Sequence, residues 1–330
     1  MLCLGIESTA HTFGCSIVGS DGKVLSDERD IYKAPEGSGI HPREASRHHM
    51  EISSIIFQKS LESGGVSMKD IDIVGYSAGP GLGPCLRVGA VVARTVAGFY
   101  RKPLIRVNHA LGHLELGAML TGALDPLVLL VSGGHTMTLA FSHGRWRVFG
   151  ETLDITVGQL LDQFGRALGF ASPCGGRIEE LAVQSDGRYL QLPYVVKGND
   201  VSFSGLLTAA IKLAYNKKGV PDTCYSLQET SFAMLAEAVE RALSFTGKKE
   251  MMIVGGVAAN KRLAAMLKEA CGRQGAELFV CPLRFAGDNG AQIAWTAIQE
   301  YSTTKTGVSL EESTIQQSWR LDTVDVSWRQ

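Results

Sequence analysis

LCLGIESTAHTFGCSIVGSDGKVLSDERD, residues 2–30, and LVLLVSGGHTMTLAFSHGRWRVFGE, residues 127–151, decide the fold. In the first, Leu2–Ile6 is a short apolar run that reads as a buried strand, and Ser8-Thr9 supplies a small-residue turn. Phe13–Val18 and Val24–Asp30 follow as strands, with Asp21-Gly22 between them as a hairpin signal. The second stretch begins 125 residues later and repeats the order. Leu127–Val131 is a strand, Ser132-Gly133-Gly134-His135-Thr136 a turn, Met137–Phe141 a strand, His143-Gly144 a turn and Trp146–Glu151 a strand. A five-part order written twice predicts a duplicated α/β lobe.

Helices fill the intervals. His49–Ser63 is amphipathic, Val88–Tyr100 reads as mostly buried, and Glu229–Ser244 carries apolar residues at helical spacing. Ile71–Ser77, Leu104–Asn108, Met251–Gly255 and Glu277–Cys281 read as further buried strands. Strands alternating with helices predict mostly parallel sheets that take ligands at their carboxyl ends, here in a cleft between two lobes. One lobe is expected to comprise residues 1–120 with about 297–330, and the other residues 121–296.

Composition bounds the function. At 330 residues the chain is long enough for two cores, and 45% hydrophobic with 20% charged residues excludes disorder. The net charge of −1 offers no global basic field for nucleic acid, so any grip on one is expected to be shared with partners. Seven cysteines without a CxxC pair suit a reducing compartment. No signal peptide or membrane-length apolar run is present, and the reading is a soluble cytoplasmic protein. The departure from average is glycine, 38 of 330 residues against about 7% in ordinary usage. With only 10 prolines and no Gly-Ser tract, the surplus marks tight turns or close backbone approach.

Four glycine-rich segments each follow a predicted strand: Ser77–Gly83, Val131–Thr136, Gly255–Asn260 and Ala286–Gly290. Backbone N–H groups on such turns can cradle a phosphate, and no GxxxxGK[ST] loop is present. Bulky residues at Gly133 or Gly255 are therefore expected to weaken nucleotide binding more than they unfold the chain. His109 and His113 stand at i and i+4, which on a helix puts both imidazoles on one face and suits a metal. Two helix histidines of no further role show the same spacing. Alanine follows His109, so the glutamate of a HExxH protease is missing, and Asp288 on its glycine-flanked turn is the candidate third ligand. His41, His48 and His49 read as a polar helix start. Asp162 and Glu179 are carboxylates on predicted helices that a ribose or amino acid could use. Asp200–Gly205 is a polar turn without readable chemistry.

Taken together, Gly5–His11, His41–Glu44, Gly79–Pro84, Asn108–His113, Val131–Thr136, Asp200–Gly205, Gly255–Asn260 and Asp288–Gly290 resemble the universal tRNA threonylcarbamoyladenosine transferase family, in order over essentially the whole chain. They are closest in pattern to the archaeal and eukaryotic catalytic subunit of the KEOPS complex, and further from the bacterial relative TsaD. The resemblance implies the duplicated-lobe fold of actin, hexokinase and Hsp70. It implies transfer of threonylcarbamoyl from threonylcarbamoyl-AMP to N6 of the adenosine 3′ of the anticodon in ANN-decoding tRNAs, releasing AMP. His109, His113 and Asp288 would hold one divalent metal, iron before zinc. Leu130, Val131, Ser132, Gly133 and Gly134 would hold the phosphate and acyl group, Asp162, Gly175 and Glu179 the ribose and threonine, and Asn260 the adenine. ATP analogues would occupy the same site. Partners implied are tRNA, a small dimerising subunit, an atypical small kinase and a further small subunit. A sugar or acetate kinase, or a nucleotide-binding scaffold, is the competing reading for the same fold. The sequence departs from the family's usual pattern at Leu130, where archaeal relatives often carry a tyrosine, and at Cys174 and Gly176. Arg320–Trp328 resembles the archaeal tail, and nothing kinase-like follows it.

Overall fold

Two five-stranded sheets of the same strand order frame the protein. The computed structural model describes residues 1–215 and 219–329. In the first sheet β1 (Leu2–Glu7), β2 (Thr12–Gly19) and β3 (Val24–Ile31) form an antiparallel meander. After α1 (Pro42–Gly64), β4 (Ile73–Gly79) joins β1 in parallel. After α2 (Gly83–Tyr100), β5 (Leu104–Asn108) joins β4, giving the order β3-β2-β1-β4-β5. Helix α3 (His109–Thr121) leads to the second lobe.

There β6 (Leu127–Val131), β7 (Thr136–Ser142) and β8 (Arg145–Glu151) repeat the meander. Helices α4 (Val157–Ala167) and α5 (Gly175–Val183), the short strands β9 (Val196–Lys197) and β10 (Asp200–Val201), and helices α6 (Ser204–Ala214) and α7 (Val220–Thr246) follow. Strand β11 (Glu250–Val254) pairs with β6 in parallel and, across α8 (Lys261–Gln274), with β12 (Glu277–Val280). The order is then β8-β7-β6-β11-β12, the first sheet over again. The chain continues through α9 (Leu283–Ala286) and α10 (Gly290–Thr304) into an extended tail.

Apolar faces fix the layering. Helices α1 and α2 cover one side of the first sheet through Ile56, Ala90, Ala93 and Ala97 against Leu4, Ile6 and Val74. Helices α4 to α8 cover the outer side of the second through Leu160, Phe164, Phe203, Phe232 and Leu263. Helices α3 and α10 lie between the sheets: α10 meets Cys3, Val18 and Ile73, and α3 meets Val128 and Leu130. Helix α10 sits close to β1 and β4 because Gly5 and Gly75 present no side chain to it; a Cβ on Gly75 would stand 2.7 Å from that of Ala297.

The tail crosses both sheets. Gln316 N donates to the Ala78 carbonyl (2.7 Å), Asn108 Nδ2 to that of Trp319 (3.1 Å), and Val326 N to that of Gly144 (2.8 Å). Arg329 Nε ends on the buried carboxylate of Glu115 at 2.8 Å. Several expected boundaries move: α2 begins at Gly83 and not at Val88, and α7 at Val220 and not at Glu229. Helix α1 starts at Pro42, in the first helical turn where proline loses no intrahelical bond, so His48 and His49 lie inside it. Strand β4 runs two residues later than expected, beginning after Asp72, whose N donates to the Leu2 carbonyl (2.9 Å) and whose carboxylate takes the Leu2 N–H (2.7 Å) that a strand carbonyl would otherwise accept.

Candidate metal centre and glycine turn

The site starts where β5 becomes α3 without an intervening loop. Asn108 is the N-cap, its side chain accepting from Leu111 N at 3.1 Å, which stops the strand and starts the helix at His109. One turn on, His113 lies on the same face, and the ring centroids are 4.8 Å apart, edge to face. Asp288 comes from the other end of the chain, one residue before the Asn289 N-cap of α10. Gly290 lets that helix start close to β1, where a Cβ would stand 2.6 Å from the Gly5 carbonyl oxygen. The Asp288 Oδ1 atom thus sits 3.3 Å from His113 Nε2 and 3.5 Å from His109 Nε2. The donor atoms of His109, His113 and Asp288 lie within 4.8 Å of one another, and both histidines are buried. The set fits a metal ion, with two imidazole nitrogens and one carboxylate converging and coordination positions left over.

Glu7, a residue the sequence reading did not single out, completes the arrangement. It is fully buried at the end of β1, and its Oε2 accepts from His109 Nδ1 at 2.9 Å. Its Oε1 accepts from Thr9 N at 2.7 Å and from Thr9 Oγ1 at 2.5 Å. A carboxylate on Nδ1 fixes the ring and turns Nε2 toward Asp288, the outer partnership that metal-binding histidines use. The charges follow. Burial would lower the His109 pKa, but Glu7 and Asp288 outweigh it and hold it up, at about 9. Burial lowers His113. Burial opposes the charge of Asp288, yet His109 and the His113 hydrogen bond hold that carboxyl far below its usual range. His135, also missed, is lowered to about 3 by burial, with the charges of His109 and His113 acting in the same direction. Arg29 reaches across from β3 and donates to the carbonyls of Asp288 (3.0 Å) and Arg284 (2.6 Å).

The turn after β6 is closed by its own serine. Ser132 N donates to the His135 carbonyl at 2.8 Å, and Ser132 Oγ accepts from Gly134 N (3.2 Å) and His135 N (3.0 Å). Gly133 and Gly134 are exposed, and a Cβ on Gly133 would meet nothing within 4 Å. Leu130 and Val131 are fully buried in β6; Leu130 packs in the apolar cluster of α3 with Ala110 and Leu111 and offers no ligand atom.

The other expected contacts are engaged within the protein. Asp162 Oδ1 accepts from Cys174 N at 2.7 Å, tying α4 to α5, and Glu179 Oε1 accepts from Lys261 N at 2.9 Å, tying α5 to α8. An ionised carboxylate has further lone pairs, so one N–H does not exhaust either. Asn260 caps α8 through Arg262 N and Leu263 N and donates to Gln228 Oε1 at 2.6 Å. Gly175 is open, with Leu161 Cδ1 3.7 Å from its ideal Cβ. Cys174 is a core residue whose side chain lies against Gly165, and all seven cysteines are buried free thiols.

The glycine surplus divides in two. Gly133, Gly134, Gly175, Gly176, Gly256 and Gly287 would meet no atom closer than 3.7 Å with a Cβ added. Gly79, Gly81 and Gly83 are instead covered by protein: Gly81 N donates to the Gln317 carbonyl at 3.1 Å, and a Cβ there would stand 2.6 Å from the Thr9 oxygen. The Ser77–Gly83 segment is therefore a seat for the tail, and the expectation that this turn is one of four open to a phosphate is corrected.

A two-lobed α/β chain with a buried cluster fit for a metal between its sheets is of the actin, hexokinase and Hsp70 fold class, and solved structures agree. HypF of T. kodakarensis superposes with a TM-score of 0.60 at 14% identity, over 91% of this chain and 47% of that one. The activator of the 2-hydroxyisocaproyl-CoA dehydratase from Clostridium difficile does so with a TM-score of 0.55 at 12% identity, over 94% and 100%. The family model of TsaD, tRNA N6-adenosine threonylcarbamoyltransferase, matches residues 23–295, and the chain belongs to that family. A protein of that name from Caldivirga maquilingensis is 51% identical, over 99% of this chain and 98% of its own length. One from Thermococcus kodakarensis is 47% identical, over 99% and 100%. A probable bifunctional tRNA threonylcarbamoyladenosine biosynthesis protein from Methanothermobacter thermautotrophicus is 48% identical, and this chain spans 61% of it. Among the described residues, no helix is long and apolar enough to cross a membrane.

Proposed function

We propose that this chain transfers the threonylcarbamoyl group from threonylcarbamoyl-AMP to N6 of the adenosine 3′ of the anticodon in ANN-decoding tRNAs, as the catalytic subunit of a KEOPS complex. The observation that carries the reading is the His109–His113–Asp288 cluster, fixed by Glu7. Membership of the family supplies the substrate class. A bond forms between the adenosine nitrogen and the carbamoyl carbon, the bond from that carbon to the phosphate oxygen breaks with its electron pair leaving on AMP, and the nitrogen gives up one proton to solvent.

When bound, a divalent metal, iron or zinc, would supply Lewis acidity toward a phosphate or carbamoyl oxygen. Glu7 accepts from His109 Nδ1 and so keeps Nε2 turned toward Asp288, and Arg29 steadies the backbone of Asp288. The segment Leu130–Gly134 is the proposed seat of the phosphate and acyl group, and its exposed glycines let a ligand approach the backbone. Asp162, Gly175 and Glu179 are the proposed ribose and threonine side and Asn260 the adenine side. The small net charge suits a tRNA grip shared with the dimerising, kinase and further small subunits.

The test is the chain incubated with its companion subunits, threonylcarbamoyl-AMP and unmodified tRNA, followed by mass analysis of the nucleosides. The modified adenosine is expected with wild type and not with His109→Ala. Unchanged product from His109→Ala/His113→Ala would remove the metal from the account, and phosphoryl transfer to a sugar without modified tRNA would replace the reading with a kinase.

A further inference from the structure

The segment Asp200–Gly205 had no chemistry in the sequence, and the structure ties it to one place. Asp154, in the connection between β8 and α4, accepts from Ser202 Oγ (2.6 Å), Ser204 Oγ (2.5 Å), Phe203 N (2.8 Å) and Ser204 N (3.1 Å). Alongside, Leu153 N donates to the Val201 carbonyl at 2.8 Å and Glu151 N to Asp200 Oδ1 at 2.9 Å. Phe203 is fully buried and roots the segment in the core of the second lobe.

The connection so held ends on the back of the glycine turn. Thr156 Oγ1 accepts from Gln159 N at 3.0 Å, capping α4, and donates to the Gly133 carbonyl at 3.0 Å. Val157 N donates to Thr136 Oγ1 at 2.8 Å. A Cβ on Gly158 would lie 2.8 Å from Gly133 N, so the start of α4 touches the backbone of the turn. One face of the turn is therefore fixed, and the other is open at Gly133.

We propose that Thr156 is a positioning residue that sets the orientation of the Gly133–Gly134 peptide, with Asp154 and the 200–205 segment as its buttress. Two adjacent glycines let the peptide between them rotate at little cost. The peptide is planar and trans, so a Gly133 carbonyl held by Thr156 on one side keeps the Gly134 N–H, on the other, on Ser132 Oγ at 3.2 Å, and loss of the Thr156 hydroxyl loosens both ends. The role of the turn in holding an adenylate rests on the function proposed above, whereas the anchoring of the turn does not.

The experiment compares Thr156→Val, which removes the hydroxyl, with Thr156→Ser, which keeps it. Gln159→Ala weakens the same helix cap without touching Gly133, since its side chain accepts only from Thr156 N (3.3 Å). Hydrogen exchange of the Gly134 and His135 amides is followed in the ligand-free full chain, and AMP affinity by calorimetry. Thr156→Val is expected to raise exchange and the AMP Kd by about tenfold, the worth of roughly one hydrogen bond, while Thr156→Ser and Gln159→Ala stay within about twofold of wild type. Equal exchange in Thr156→Val and Gln159→Ala would overturn the proposal, as would unchanged exchange in Thr156→Val. Should wild type bind no AMP, the adenylate reading fails, and the exchange comparison still decides the role of Thr156.

Discussion

Alanine at Gly255 and alanine at Gly133 separate the two kinds of glycine in this chain. Gly255 has φ 95° and ψ 164°, a region essentially reserved for glycine, where another residue costs about 1–3 kcal/mol. Its Cβ would also press on the Val131 carbonyl, 2.8 Å from the carbonyl carbon. Val131 ends the central strand β6, so relief requires moving that strand, and overpacking of this kind costs about 1–3 kcal/mol. Both terms together put Gly255→Ala at about 2–6 kcal/mol, or a Tm about 3–9 °C lower for a chain of 330 residues. Gly133 has no positive φ and empty space at its Cβ, so Gly133→Ala leaves Tm unchanged or raises stability by up to about 1 kcal/mol. Its methyl group instead stands on the open face of the turn and is expected to weaken the AMP binding proposed there. Thermal melts and AMP calorimetry on the pair test the argument. Equal Tm losses, or a Gly255→Ala that melts with wild type, would refute it. The sequence expectation that both positions act mainly on nucleotide binding is kept for Gly133 and replaced for Gly255.

Glu7→Gln leaves a weaker partner on His109 Nδ1, and metal affinity is expected to fall about 10- to 100-fold, as when outer partners of metal-binding histidines are lost. Competition against a chelator measures it, and wild-type retention would show that Glu7 does not orient the ring. His49, whose Nε2 donates to the Ala10 carbonyl at 3.1 Å, is lowered by burial from 6.5 to about 4. The unfolded chain therefore binds a proton that the native state refuses. Stability from this group is full above pH 6.5 and is lost by about 3 kcal/mol as pH falls toward 4. Urea midpoints between those pH values should show a flatter acid limb for His49→Gln, which can still donate to Ala10; parallel limbs would assign the acid loss elsewhere. Arg29→Ala, which frees the Asp288 carbonyl, is expected to shorten metal retention in a chelator while Tm changes by only a few degrees.

The two sheets were legible because buried strands, glycine turns and their order recur in the chain, and the strand-to-helix change at Asn108 put both histidines on one face. The start of α1 was hidden by its polarity: its buried side is made by Ala45, Ser46 and His49, which give no apolar period. Glu7 was illegible as a partner of His109 because the contact joins residues 102 apart. Glycine spacing likewise could not tell Gly133 from Gly255. The difference lies in what stands opposite each Cβ, and only the packed backbone of Val131 reveals it.

The central claim is that His109, His113 and Asp288 form one metal site. Elemental analysis of the purified full chain, wild type beside Asp288→Ala, tests it most directly. One iron or zinc per chain in wild type, lost from a folded Asp288→Ala, is the result expected. The same metal content in both proteins would contradict it.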